Sequence, residues 1–289
     1  MRILIVHELF PPDFAGGGET LVYNMAKHLQ QRGHTVKVLT SGNPAITEHE
    51  GIPTIRLPRN RYLMNLAFKK IYQEAKDADI IQTATYNAAF PAWLVGKLLN
   101  KPTVCLVMSY WGERWRTLRG PFWGRLSQWG EQIQVGRSYD HHIFISDFSS
   151  DFALQSGLKP RQSTVIYPGL DLEPYVPLKK TIDVLFSGRF AKQKGVYDIL
   201  KVAEQLPTVN FVMMGWGEEE GQLRKEAPAN VKFSPLTSKD GKPFYEMYGK
   251  AKIFFLPSYA ETFGFTLVEA AAAGAAIVST VPLGFQGQV

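Results

Sequence analysis

The stretch PSYAETFGFTLVEAAAAG, residues 257–274, holds two carboxylates, Glu261 and Glu269, among apolar, aromatic and small residues. Carboxylates accept hydrogen bonds from hydroxyls and pair with cations. Between them Gly264 is placed to open a helix. There the N–H groups around Phe263, Gly264, Phe265 and Thr266 lack helical partners, and the helix dipole favours an anion. Two acids bracketing such a start suit a ligand that carries sugar hydroxyls, ribose hydroxyls and phosphate. The same acids are also accounted for if Glu261 only complements the dipole and Glu269 is a solvated helix residue. A second set lies in SGRFAKQKG, residues 187–195, where Gly188 precedes Arg189 and Lys194 around a strand-to-helix turn. Arginine offers a pyrophosphate a bidentate fork and lysine a point charge. Two bare cations at a helix start oppose its dipole, and a bound anion removes that mismatch.

Glycine loops form a third set. In HELFPPDFAGGGETL, Gly16, Gly17 and Gly18 immediately precede a helical pattern, so backbone amides there could approach an anion. An ordinary turn explains them equally well, and the spacing is not that of a dinucleotide fingerprint. In GWGEEEG, Gly215 and Gly217 flank a tight turn where a nucleotide could pass close, with Glu218, Glu219 and Glu220 as favourable first-turn charges. The stretch 109–133 carries Trp111, Trp115, Trp123 and Trp129 with Arg114, Arg116, Arg119 and Arg125. Its apolar residues at 111, 115, 118, 122, 126, 129 and 133 step by three and four, a helical stripe interrupted at Gly120-Pro121. Such a stripe suits a core helix. It also suits an aromatic, basic surface for an acceptor molecule or an anionic membrane. No nucleic-acid motif accompanies it, so nucleic acid is not expected as a partner.

The elements that must position these residues alternate along the chain. Apolar runs at 2–6, 35–40, 79–83, 103–108, 141–146 and 163–167 read as strands, with helical patterns at 18–33, 62–76, 88–99 and 147–157 between them. The alternation restarts with strands at 182–188, 210–215, 230–233, 252–257 and 276–280 and helices at 195–206, 218–227, 243–250 and 264–274. Regular β-α alternation predicts parallel sheets covered by helices. The expected fold class is α/β with two Rossmann-like domains, 1–168 and 181–289, joined by a linker at 169–180. Ligands then bind beyond the carboxyl ends of the strands, where all the candidate residues fall.

Bulk properties narrow the function classes. The chain has 289 residues and a net charge of +6. Residues 1–170 carry 19 Lys+Arg against 13 Asp+Glu, and residues 171–289 carry 13 against 13. The basic first half favours an anionic partner. A single cysteine, Cys105, excludes an internal disulfide, and no Cys/His set has zinc spacing. No apolar run approaches the ~20 residues of a membrane span. MRILIVHELFPP reads as a first strand rather than a signal peptide. Together these fit a reducing cytoplasm and no structural metal, and no cofactor is expected.

In its motifs the chain resembles the retaining GT-B glycosyltransferases of family 4. The E-x7-E segment at 261–269 sits in its usual surround, and the early GGGE, VIYPGLDLEPY, SGRFAKQKG and MGWGEEEGQL follow in order. The resemblance runs from residue 1 to about 280 and implies two domains facing a cleft. It further implies that Arg189 and Lys194 hold the donor diphosphate, and that Glu261 with the amides near Phe263–Thr266 holds the donor sugar. Glu269 would hold the ribose, and Gly16–Gly18 would close over the donor. Such enzymes move a hexose from a nucleotide-diphosphate sugar to a glycan or lipid-linked acceptor, with retention and without metal. Two departures stand out. LVMSYWGE has Met108 where relatives carry a histidine, which bears on acceptor handling by Met108, Ser109, Tyr110 and Trp111. VPLGFQGQV ends the sequence where relatives run on, so an incomplete second domain is expected. A non-catalytic nucleotide-sugar-binding protein, an epimerase and a hydrolase are the alternatives.

Overall fold

The computed structural model describes residues 1–13, 16–58, 60–235, 241–259 and 261–280, without the side chain of Leu118. The C-terminal VPLGFQGQV lies outside the described residues. The chain forms two compact units, Met1–Gly169 and Leu170–Val289.

The first unit alternates strand and helix: β1 (Arg2–Val6), α1 (Gly17–Gln31), β2 (Thr35–Ser41), β3 (Glu48–His49), β4 (Ile52–Leu57), α2 (Phe68–Ala75), β5 (Ile80–Ala84), α3 (Ala89–Leu99) and β6 (Thr103–Val107). Then come α4 (Trp115–Arg119), α5 (Pro121–Gln134), β7 (His141–Phe144), α6 (Asp147–Gln155) and β8 (Ser163–Val165). Its sheet has the order β3-β4-β2-β1-β5-β6-β7-β8, parallel except for the β3–β4 pair. The central strands are continuous apolar runs because helices cover both faces. Leu4, Val6, Leu39 and Ile81 are buried with Ile71, Ala92 and Val95 of the helices. Burying each such aliphatic side chain contributes about 1.5–3 kcal/mol.

Two features of this unit depart from expectation, and a third, the break at Gly120-Pro121, matches it. IPTIRL forms β4, which sequence periodicity missed because the run is short and holds a proline and an arginine; Arg56 is nonetheless buried, donating to the carbonyl oxygens of Phe10 and Pro11. The expected helix at 62–76 is a 3₁₀ segment, Arg61–Leu66, followed by α2. The helical stretch 109–133 is a 3₁₀ turn, Gly112–Arg114, then α4 and α5, broken at Gly120 because its φ of 76° lies in the left-handed region. Proline at the first position of α5 costs no hydrogen bond there.

The second unit runs β9 (Ile182–Arg189), α7 (Val196–Gln205), β10 (Phe211–Trp216), α8 (Glu220–Glu226), β11 (Val231–Pro235), α9 (Lys242–Lys250), β12 (Ala251–Leu256), α10 (Phe265–Ala272) and β13 (Ala276–Ser279). The sheet order is β11-β10-β9-β12-β13, parallel throughout the described strands. From β9 the chain builds outward on one side through β10 and β11, then returns to build through β12 and β13. The direction therefore reverses between β9 and β12. Phe186, Phe211, Tyr248, Phe254 and Leu267 fill the core between sheet and helices. Ala270 of α10 and Ala273 at its end are buried, so small side chains let the helix lie close to the sheet. Gly274, at φ 70°, stops it.

Candidate functional site

The reversal between β9 and β12 fixes where the second unit can bind a ligand, since loops leaving neighbouring strands part there and open a crevice at their carboxyl ends. Arg189 is the last residue of β9 and Lys194 ends the following 3₁₀ turn, Lys192–Lys194. Ser258 and Glu261 follow β12 and lead into α10. The two loops are locked together. Tyr259 N–H donates to Gln193 O at 2.9 Å. Gly195, at φ 67°, lies so close to Pro257 that a Cβ would stand 2.0 Å from its carbonyl oxygen.

Across this junction Lys194 Nζ pairs with Glu261 Oε1, which also accepts from Ser258 Oγ at 3.0 Å. The sequence assigned this lysine and this acid to separate parts of a ligand, and the fold makes them partners. Arg189 is exposed at the strand end, with no carboxylate paired to it among the described residues. Gly264, at φ 79°, opens α10 with no side-chain cap. The first-turn N–H groups of Phe265 and Thr266 therefore have no helical acceptor, whereas Leu267 N–H donates to Gly264 O at 2.9 Å. Phe263 is buried and packs on Phe265, with ring centroids 4.6 Å apart.

Glu269 is not a solvated helix residue. It is buried, and Tyr248 of α9 donates to its Oε2 at 2.7 Å. Burial and the Glu269 charge both push the Tyr248 hydroxyl well above its ordinary range, so it stays a donor. A carboxylate desolvated in this way persists because donors meet it. Gly188, Gly215 and Gly217 are drawn together at the ends of β9 and β10, and the chain itself accounts for two of them. A Cβ on Gly215 would lie 1.9 Å from Gly188 O, and one on Gly217 would lie 2.3 Å from Phe190 O.

The first unit has its own reversal between β1 and β5, and a polar group there escaped sequence reading. His7 and Glu8 follow β1 directly and are both buried. The Glu8 carboxylate accepts from Arg61 and from the Asn87 side chain after β5. Burial holds the His7 imidazole below its ordinary 6.5. Its Nδ1 lies 2.6 Å from Leu9 O. An acid and a histidine immediately after the first strand were the available signal. Gly16 N–H donates to the buried Glu19 at 2.8 Å, so this amide is already used. The space beside Gly18 is filled by Met108, whose Sδ would lie 2.8 Å from a Cβ there.

The loop Met108–Trp111 is organised from within by Glu131 of α5. This buried carboxylate accepts from Trp111 N–H at 2.9 Å, Gly112 N–H at 2.7 Å and Tyr86 Oη at 3.1 Å. Desolvation raises the Glu131 pKa, opposed by those hydrogen bonds. Ser109 Oγ lies 2.7 Å from Tyr86 Oη. Tyr110 does not face solvent: it is buried and donates to Gln132 Oε1 at 2.7 Å. Trp111 stays half-buried against Trp115 and Phe152. The stripe beyond it is not a core stripe, because Phe122, Trp123, Leu126 and Trp129 are all exposed. No group of three or more His, Cys, Asp or Glu that could hold a metal ion occurs among the described residues.

The profile described as Glycosyltransferase Family 4 matches residues 15–174, and that described as Glycosyl transferases group 1 matches residues 173–289. The O-antigen chain mannosyltransferase C of Escherichia coli is 26% identical over 297 residues, covering 94% of this chain and 77% of that protein. The phosphatidyl-myo-inositol mannosyltransferase of Mycobacterium tuberculosis H37Rv is 26% identical over 296 residues, with 93% and 75% covered. In fold the chain is similar to sucrose-phosphate synthase from Thermosynechococcus elongatus, with a TM-score of 0.81 at 18% identity over 99% of this chain and 82% of that one. It is also similar to Anabaena HepE, solved in complex with UDP and glucose, with a TM-score of 0.77 at 20% identity over 98% and 82%.

Proposed function

The chain belongs to glycosyltransferase family 4, with two parallel-sheet Rossmann-like domains of the GT-B class, and we propose that it moves a hexose from a UDP- or GDP-sugar to an acceptor hydroxyl with retention and without metal. The observation that carries this reading is the Lys194–Glu261 junction at the β9–β12 reversal, with the exposed Arg189 beside it. Two cations and an uncapped helix start surround a place where a diphosphate would be stabilised as negative charge builds on it. Glu261, held by Ser258, accepts from donor-sugar hydroxyls, and Glu269, held by Tyr248, accepts from the ribose. Gly188 belongs to the donor surface. The Gly215 and Gly217 turn serves mainly to bring the strand ends close.

In this reading the acceptor oxygen attacks the anomeric carbon on the face the diphosphate leaves, and the departing phosphate oxygen takes the acceptor proton. The chain contributes positioning and charge stabilisation, which need no nucleophile–base pair. Lys194 passes from Glu261 to the diphosphate when donor binds. The two mannosyltransferase relatives are named for an O-antigen chain and for phosphatidyl-myo-inositol. Those names support a glycan or lipid-linked acceptor.

A thermal-shift screen with UDP-, GDP- and ADP-sugars tests the donor class. A donor at ~100 times its Kd stabilises by about 2.7 kcal/mol. One nucleotide series should raise Tm, and turnover should survive EDTA. Failure of every nucleotide sugar to shift Tm, strict metal dependence, or an inverted anomeric product by NMR would each overturn the reading.

A further inference from the structure

The first turn of α7 carries two consecutive side chains that hold different loops. Strand β9 lies between β10 and β12, and α7 follows β9. At ~100° per residue, Tyr197 and Asp198 leave the helix in diverging directions. Tyr197 donates its hydroxyl to Glu219, in the turn that follows β10. Asp198 accepts the hydroxyl of Tyr259, from the loop that follows β12. One helical turn therefore fastens the loops on both sides of β9. Asp198 also accepts from Lys201 Nζ at 3.1 Å. The Tyr259 hydroxyl, with Lys201, holds the Asp198 carboxyl below the usual carboxylate range, so it stays an acceptor.

Tyr259 is 67% exposed, so burial does not fix its ring. What fixes the residue is polar: its N–H on Gln193 O at 2.9 Å and its hydroxyl on Asp198. These two bonds close around the junction where Lys194 meets Glu261. Gln193 precedes Lys194 directly, and Tyr259 stands two residues before Glu261. The ion pair cannot keep the loops aligned by itself, because a diphosphate that draws Lys194 away breaks it. The Tyr259–Asp198 bond involves neither partner and survives that exchange. We infer that Asp198 and Tyr259 are positioning residues of the donor site, their clasp keeping the Lys194 and Glu261 loops aligned while the lysine changes partner from the glutamate to the diphosphate. Charge held in place beforehand needs no reorganisation when the reaction calls on it, and a lysine on a flexible stem gains most from a fixed mount. The role of the clasp rests on the proposed donor chemistry and adds to it two residues that touch neither phosphate nor sugar.

The test is isothermal titration of the full chain with UDP-glucose, GDP-mannose and ADP-glucose, each beside its nucleoside monophosphate. Tyr259→Phe and Asp198→Ala should each weaken the nucleotide sugar that binds by about tenfold and its monophosphate by about twofold or less. The monophosphate lacks the outer phosphate and the sugar that the two loops meet, so a general loosening of the unit would weaken both ligands alike. Asp198→Asn still offers the Tyr259 hydroxyl an acceptor and should keep most of the affinity. Tyr259→Phe combined with Asp198→Ala should be no weaker than either alone, because each removes the same bond. Tyr197→Phe frees only the β10 turn and should leave the ratio of the two affinities as in the wild type. Urea midpoints of the Tyr259 and Asp198 variants should stay at the wild-type value, since both side chains reach solvent. Wild-type affinity in Tyr259→Phe, or equal losses for nucleotide sugar and monophosphate, overturns the inference and leaves the donor reading standing. A wild-type chain that binds no nucleotide sugar overturns both.

Discussion

Lys194 and Glu261 are each other's partner before any ligand arrives, and that pairing shapes what their loss should do. The pair is partly solvated, so its own contribution to stability is small. Under the proposed function its contribution to transfer lies in charge placed where charge develops. Lys194→Ala and Glu261→Ala should each lower kcat by about 100-fold or more while shifting stability by about 1 kcal/mol or less. Transfer assays beside urea melts check both halves, and wild-type transfer by either variant would sink the assignment. Tyr248→Phe differs, because it removes one donor from a buried carboxylate. It should cost about 1–3 kcal/mol in urea unfolding. Glu261 and Glu269 were visible in the sequence as a spaced pair. Their partners were not, since Lys194, Ser258 and Tyr248 reach them only through strand order and helix packing.

At the scale of elements, the glycines separate into those that space the backbone and those that do not. Gly215→Ala places a methyl into Gly188 O, where nothing can move aside cheaply, and should cost about 2 kcal/mol or more. Gly221→Ala meets nothing within 4 Å in α8 and should be neutral or stabilising by up to about 1 kcal/mol. Urea midpoints of the two variants measured side by side test the distinction. The strand-to-helix turns that carry Arg189, Lys194 and Glu261 were legible because apolar period and glycine punctuation are local signals. Strand β4 was not, because its place in the sheet is fixed by pairing with β2 and not by its own alternation. The direction α5 faces was equally hidden. A stripe of period 3.6 says that one side of a helix is apolar, whereas Gly124 and Glu131 decide which side turns inward.

Over the whole molecule, titration should divide the two units. All six histidines lie between residues 7 and 142, in the first unit. Burial is the leading cause that holds His7 and His142 below 6.5. The unfolded chain takes up protons on these rings near pH 6.5, and the fold does so only at lower pH. The unfolded state therefore binds more protons below about 6.5, and stability falls as pH drops from there towards the folded values. Hydrogen exchange at pH 5 against pH 7 should show the first unit opening preferentially once intrinsic rates are corrected. His142→Gln should blunt the effect, and uniform loss of protection in both units would refute it.

By itself the sequence determined the α/β class, the membership of glycosyltransferase family 4 and the strand-end loops where the candidate residues lie. Periodicity, glycine placement and acid spacing are properties of neighbouring residues and survive without a fold. Tertiary structure alone decided that Lys194 meets Glu261, that Tyr248 holds Glu269, that Tyr110 points inward and that the aromatic side of α5 faces out. Each of these depends on which residues meet from distant parts of the chain, and packing, not spacing, sets that.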